Sequence, residues 1–280
     1  MNIVIIGIGA LAEALIARIN QIGSDRVTCM VDTGPGSQSL HNQADRVGSE
    51  YIRTSNLKNT ALLERLSAMA PDYIISADNP VIFGVKLLRT ARRACINFHN
   101  APLPAYRGLN IPTWVIWQQE SRHGISWHLM LEEIDSGEVI LQRKFPLDAT
   151  ESAFSLSLKC IQAGIDSVSS LLEKLPDYQP NHTQAGSSNG RYYSRKDIPH
   201  NGLMSESWNA CELERFFRAF HYRTIPNHVG HPRWSCAGSI VDVKRLERLP
   251  LNKTRPCLKD NQVLLDRPDG LVLLTLATQH

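Results

Sequence analysis

The chain has 280 residues, of which 42% are apolar and 20% charged, with a formal net charge of +3. That composition excludes general disorder and allows one large domain, or one domain with a smaller one beside it. The charge is too small to argue for a nucleic-acid partner, although a mild basic bias suits an anionic ligand. Six cysteines, Cys29, Cys95, Cys160, Cys211, Cys236 and Cys257, lie scattered with no CxxC pair and no zinc-ligand spacing. They are expected to be reduced, buried thiols in a reducing compartment, with no metal site. The chain opens directly on the apolar run Ile3-Val4-Ile5-Ile6, too short for a signal peptide or a membrane span, so a cytoplasmic location is expected.

In chain order, Asn2 to Ile6 reads as a strand, Ala10 to Ile22 as an amphipathic helix and Arg26 to Val31 as a strand. Asn59 to Ala70 is expected to be a helix, Tyr73 to Ala77 a strand, Val85 to Arg93 a helix and Ala94 to Phe98 a strand. This alternation predicts βαβ units on a mostly parallel, doubly wound sheet of the α/β class. Gly124 to Leu131 and Gly137 to Phe145 read as two further strands around a turn at Asp135. Ile111 to Gln118 is expected to be a helix that packs Trp114 and Trp117. A long helix follows from Phe154 to Leu175, with Phe154, Leu158, Ile161, Ile165, Val168 and Leu172 on one face. Pro176 to Asn201 has linker composition. Beyond it come a short helix, Cys211 to Phe220, and β-like runs at Ser239 to Val243, Gln262 to Leu265 and Leu271 to Ala277. The expected organisation is a catalytic domain over 1–175, a linker over 176–204 and a small β-rich subdomain over 205–280.

Two places carry candidate chemistry. Gly7-Ile8-Gly9-Ala10-Leu11-Ala12 follows a strand and opens a helix, and Asp32 ends the next strand, as in a dinucleotide fingerprint. The same glycines serve a tight first turn in any doubly wound sheet, and Asp32-Thr33-Gly34-Pro35-Gly36 is also plain turn sequence. The second place is central. Asn97 and His99 are two apart at the end of an apolar run, so on a strand they project to one side. An amide and an imidazole together, with a carboxylate at the Asp135 turn, form a candidate acyl-transfer site.

Asn97-Phe98-His99-Asn100-Ala101-Pro102-Leu103-Pro104-Ala105-Tyr106-Arg107-Gly108 resembles the N-x-H-x-x-x-L-P-x-Y-R-G segment of the folate-dependent formyltransferases. His123-Gly124-Ile125-Ser126-Trp127-His128 and Asp135-Ser136-Gly137-Glu138-Val139-Ile140 are similar to that family's H-G-x-[TS]-x-H and D-x-G-x-[IV]-[IL] segments, in the same order and spacing. The likeness runs from about Ile3 to Leu175. Phe154 to Gly164 and Ile225-Pro226-Asn227 most resemble formyltransferase domains of nonribosomal peptide and polyketide assembly lines. The likeness implies a Rossmann- or flavodoxin-like sheet with 10-formyltetrahydrofolate as donor, and Asn97, His99 and Asp135 as catalytic trio. An amine adding to a formyl carbon builds an oxyanion that needs preorganised donors. Asn97 would supply one and a protonated His99 the other, with Asp135 orienting the ring and favouring its charge.

The resemblance also assigns Asn79, Val81, Ile82, Glu132 and Ile134 to the donor pocket, the first three by position only. It assigns Gly7, Gly9, Ala10, Pro102, Tyr106, Arg107 and Gly108 to the acceptor side. His128 is expected to pack near the site as a sheet-face histidine. The family often has Ser-Leu-Leu-Pro after the histidine, where this chain has Asn100-Ala101-Pro102-Leu103-Pro104, and that departure touches the acceptor. The expected acceptor is a small amine of specialised (secondary) metabolism: an amino acid, hydroxyornithine or an aminoacyl group on a carrier protein. A nucleotide amino-sugar is the alternative, then methionyl-tRNA, for which residues 205–280 are short and carry mixed charges. Readings from other classes are an NAD-dependent oxidoreductase resting on Gly7, Gly9, Ala12 and Asp32, a formate-releasing hydrolase and a non-catalytic binding module. Arg191 to Lys196, basic and aromatic, is expected to be a solvated loop rather than a nucleic-acid contact.

Overall fold

The computed structural model describes residues 1–181, 190–223, 225, 227–236, 238–249 and 258–277. Its elements, in order, are β1 (Asn2–Gly7), α1 (Gly9–Ile22), β2 (Arg26–Asp32), α2 (Gln38–Arg46), β3 (Glu50–Arg53), α3 (Thr60–Ala68), β4 (Tyr73–Ala77), α4 (Val85–Leu88), β5 (Ala94–His99), β6 (Arg107–Gly108) and α5 (Ile111–Trp117). They continue with β7 (Arg122–Leu129), β8 (Val139–Pro146), α6 (Ala153–Lys174), β9 (Tyr192–Tyr193), α7 (Ala210–Ala219), β10 (Arg233–Cys236), β11 (Ser239–Leu249), β12 (Gln262–Arg267) and β13 (Gly270–Leu276). Seven strands form one sheet in the order β3-β2-β1-β4-β5-β7-β8, in which β1 to β5 pair in parallel and β7 runs antiparallel to β5. A second sheet has the order β10-β11-β13-β12. This is the expected mostly parallel α/β sheet followed by a small β-rich part. The order around β1 and β4 places the switch point of the winding between these two strands.

Strand alternation sorts the core into two layers. Val4 and Ile6, Cys29 and Val31, Ile74 and Cys95 meet Leu62 and Leu66 of α3, Phe83 and Leu87 in one buried cluster. Ile96 and Phe98 point the other way, where α6 covers them. Asn97 and His99 continue the row of Cys95 beyond the end of that cluster.

The long helix keeps Val168 and Leu172 of the expected face buried, while its other buried residues lie to one side of that face. Leu156, Cys160, Val168, Leu171 and Leu172 are buried, whereas Leu158 is 50% exposed. Small residues decide the phase. A side-chain carbon at Gly164 would lie 2.7 Å from the Phe98 ring, and Ser167 Oγ accepts the Trp127 indole N–H at 2.7 Å. The expected helix over 85–93 stops at Leu88, because Arg92 and Arg93 donate their backbone N–H groups to Pro71 and Asp72. The supposed linker is partly strand, since Tyr192–Tyr193 pairs with Arg107–Gly108; residues 182–189 of it lie outside the described residues. In the 191–196 run Arg191, Tyr192, Arg195 and Lys196 are exposed, as expected of a solvated segment, while Tyr193 is buried within the short strand β9. Helix α2 and strands β3 and β10 were not anticipated.

By internal contacts the chain divides into two units that are discontinuous in sequence: 1–108, 123–145 and 158–192, and 109–122, 146–157 and 193–280. Local bonds account for the second grouping. Thr113 of α5 shares a hydrogen bond with Tyr222 (2.8 Å), and Phe154 N–H donates to His221 O (2.9 Å). Among the described cysteines, Cys29, Cys95 and Cys160 are buried, while Cys211 is exposed and Cys236 intermediate, which corrects the expectation for these two. Cys257 and Pro226 lie outside the described residues. No helix among the described residues is long and apolar enough to cross a membrane.

Candidate active site

Strand β5 delivers Asn97 and His99 to one side of the sheet edge, and its antiparallel pairing with β7 sets His128 across from Asn97 and Ser126 across from His99. His99 Nε2 is 2.8 Å from the Tyr106 carbonyl oxygen. A carbonyl only accepts, so Nε2 carries the proton and Nδ1 is the nitrogen that titrates. That Nδ1 faces Asp135 Oδ2 at 3.6 Å. His128 follows the same logic. Its Nδ1 donates to the Leu129 carbonyl at 2.9 Å, and its Nε2 lies 3.2 Å from Asn97 Nδ2 and 3.4 Å from Asp135 Oδ1. In its neutral form His128 accepts one Asn97 N–H, which fixes the amide with its nitrogen toward His128. His128 thus packs near the site on the sheet face, as expected, and in doing so touches both Asn97 and Asp135.

Burial lowers the His99 pKa, outweighing the opposing effects of Asp135 and the Tyr106 carbonyl. The resting ring is thus held toward neutrality, which corrects the expectation of a protonated His99. Asp135 shows the reverse balance. Burial pushes its carboxyl up, but His99, His128 and the Gly108 N–H, which donates to Oδ2 at 2.8 Å, hold it well below the usual carboxylate range.

Three devices aim these groups. Asp135 has φ 52°, a left-handed conformation that Asp tolerates better than most residues. Beside it, a side-chain carbon at Gly137 would fall on the Leu129 carbonyl oxygen, so only glycine allows the turn to close onto β7. The buried Arg107 donates from Nε (3.2 Å) and a terminal nitrogen (2.7 Å) to the Ile134 carbonyl and pairs with Glu133 at 2.5 Å. The loop after His99 is tied from β7 and β8. Ser126 Oγ donates to Ala101 O (2.8 Å) and accepts from Leu103 N (3.0 Å), while Gln142 Nε2 donates to Leu103 O (2.7 Å). His123 Nε2 lies 2.8 Å from the Asn100 carbonyl.

The remaining sequence assignments divide. Tyr106, Arg107 and Gly108 do reach the site, but through a carbonyl, a structural clamp and a backbone N–H. Pro102 lies in the tied loop. Gly7, Gly9 and Ala10 sit at the first βα turn, and Gly7 is needed because a side-chain carbon there would collide with the Ala77 carbonyl. Asp32 is 1% exposed and its oxygens already accept from Gly34 N, Ser37 N and the Tyr51 hydroxyl, so it serves the turn after β2, as the plain turn sequence suggested. In the donor region, Asn79 is committed to its own loop, accepting from Thr33 Oγ1 (3.0 Å) and Val81 N (3.1 Å). Val81 packs on the core cluster, and Glu132 meets Arg89 at 3.7 Å, joining the two segments that flank β5. Ile82, 67% exposed, and Val85, 40% exposed, leave an apolar strip. No sequence signal marked His128 as a partner, beyond its place in the H-G-x-[TS]-x-H segment.

Fold and site together define an α/β protein in which an amide, two imidazoles and a carboxylate meet at the end of β5 in a mostly parallel sheet, a set of groups that suits acyl transfer. A family model described as formyl transferase matches residues 1–169, and the chain belongs to that family, the folate-dependent formyltransferases. GDP-perosamine N-formyltransferase of Brucella melitensis is 33% identical over 156 residues, 56% of this chain and 59% of that protein. The chain thus matches under two thirds of the length of that curated relative. Among solved structures, an N-formyltransferase from Helicobacter canadensis, in complex with folinic acid and dTDP-3-aminofucose, has a TM-score of 0.68 at 16% identity, covering 98% of each chain. HypX from Aquifex aeolicus in complex with tetrahydrofolic acid has a TM-score of 0.65 at 18% identity, covering 97% of this chain and 43% of HypX. These last two establish likeness of fold.

Proposed function

We propose that this protein transfers a formyl group from 10-formyltetrahydrofolate to the amine of a nucleotide-linked amino-sugar, with Asn97, His99 and Asp135 in catalytic roles. The observation that carries the reading is the convergence of His99 Nδ1 and Asp135 Oδ2 at 3.6 Å beside the Asn97 amide, inside the family match. The donor, when bound, supplies the formyl carbon. Ile82 and the turn at Ile134 would hold its ring, and Asn97 would hold its formyl oxygen. The Asn97 N–H not given to His128 meets the negative charge that develops on that oxygen, in a site where burial strengthens each donor. His99, neutral at rest, takes the proton of the attacking amine at Nδ1, the ionised Asp135 stabilises the resulting imidazolium, and that proton passes to the donor nitrogen as its bond to the formyl carbon breaks and tetrahydrofolate leaves.

The choice of a sugar acceptor over the amino acids, hydroxyornithine and carrier-bound aminoacyl groups first expected is supported by the relative from Brucella. It is also supported by the amino-sugar in the structure from Helicobacter. The buried thiols of Cys29, Cys95 and Cys160 suit reaction in the cytoplasm.

The test is tetrahydrofolate release from 10-formyltetrahydrofolate with GDP- and dTDP-linked amino-sugars, amino acids and hydroxyornithine as acceptors. Turnover is expected with one sugar class, falling about 10²–10⁴-fold in His99→Ala and about 10²–10³-fold in Asn97→Ala, with donor binding kept. Turnover with an amino acid and none with any sugar would overturn the acceptor. Absence of donor binding would overturn the reaction.

A further inference from the structure

A second cavity, of about 270 Å³, lies wholly within the unit that carries the β-rich sheet, between α7, β11 and the start of α6. Its wall includes Arg218, His221, Arg223, Arg248, Glu214 and Phe217. The site described above uses none of these residues.

The cations there are unevenly matched. Arg248 is answered, by Glu214 at 3.5 Å and Asp269 at 3.8 Å. Arg218 donates from one terminal nitrogen to the Glu151 carbonyl, yet its Nε is buried with no partner. Glu214, Asp148 and Glu151 lie near enough to favour its charge, but burial is the larger effect and lowers its pKa. Arg223 lies with its guanidinium carbon 4.8 Å from the Phe154 ring centroid and donates from Nε to His221 Nε2 at 3.4 Å. Stacking and that bond orient its fork while leaving the terminal nitrogens to point elsewhere. His221 reads the local field. Its pKa is lowered by burial, then by the charges of Arg223 and His231. A neutral His221 that accepts at Nε2 carries its proton on Nδ1 and is itself a donor.

We propose that this cavity is a second ligand site, which takes the phosphate group of a small phosphorylated molecule between Arg218 and Arg223, with His221 as a further donor. Planar guanidinium forks suit tetrahedral phosphate oxygens. The volume is slightly below that of a typical small-molecule site, so a phosphate and a short attached group fill it, with Phe217 against the organic part. The ligand is free phosphate or the terminal phosphate of a nucleotide, two sources of one chemistry.

The test uses inorganic phosphate, pyrophosphate and GDP, each titrated into the full chain by calorimetry, with ¹H–¹³C spectra of the His221 ring to localise the event. Binding that shifts His221, and that weakens tenfold or more in Arg223→Gln, supports the site. Arg218→Gln should behave alike, and urea unfolding of Arg223→Gln, expected to match wild type, guards against a folding defect. Equal binding of all three probes points to free phosphate, and a clear preference for GDP points to a nucleotide. No His221 shift at millimolar probe, or affinity unchanged in both variants, overturns the proposal. Neither result depends on formyl transfer, so loss of that activity is scored separately.

Discussion

His123 offers the sharpest quantitative check, because it is 1% exposed and carries a known load. Its Nε2 donates to Asn100 O, while Nδ1 is buried without a partner. Burial, the largest cause, lowers its pKa from 6.5 to about 4. A folded-state pKa below the unfolded value means that the unfolded chain binds the proton more readily. The stability that His123 contributes is therefore complete above pH 6.5 and is lost as pH falls toward 4. Comparing the protonation of the two states, lowering pH from 7.5 to 5 costs about 2 kcal/mol through this residue alone. The figure changes little if the folded pKa is a unit higher, since the unfolded state is already mostly protonated at pH 5. The perturbation is His123→Gln, which keeps an N–H for Asn100 and does not titrate. Urea unfolding followed by tryptophan fluorescence at both pH values should show the variant losing about 2 kcal/mol less than wild type on acidification. Equal losses in the two proteins, within about 0.5 kcal/mol, would refute the assignment of a buried neutral His123.

Other perturbations follow from the same geometry. His128→Ala removes the acceptor that fixes the Asn97 amide; kcat should fall about 10²-fold with the donor KM little changed, in steady-state assays. Equal changes in both would instead mark His128 as a binding residue. Arg107→Met strips the buried Ile134 carbonyl of its donors, with an expected loss of about 1–3 kcal/mol in urea unfolding, partly restored in Arg107→Lys. Gly137→Ala forces the Asp135 turn away from Leu129, which should cost about 1–3 kcal/mol and lower kcat; unchanged stability would show that the turn tolerates the methyl group.

Sequence alone determined most of the alternating first half, though not α2 and β3, because short continuous runs of Ile and Val and the glycine turn at Gly7 are local signals that tertiary packing does not reverse. It also placed Asn97 and His99 on one side of a strand, since alternation is a property of two neighbouring residues. Asp135 was legible from its segment, Asp135-Ser136-Gly137, though its distance from His99 was not.

What only the tertiary structure decided concerns pairs far apart in the chain. The antiparallel register of β5 with β7 set His128 against Asn97, and a one-residue shift would have turned it to the opposite face. Arg107 read as a substrate contact because of its place in the L-P-x-Y-R-G segment, while the carbonyl of Ile134 that it binds is not visible in sequence. The charge state of His99 went the same way, since burial is a sum over neighbours from several elements and opposes the one partner, Asp135, that local reading supplied. The face of α6 was set by Gly164 and Ser167, whose small size lets Phe98 and Trp127 approach, a fit that depends on the sheet beneath. The division into units likewise follows contacts of residues 109–122 and 146–157 with the last third of the chain, which no composition boundary records.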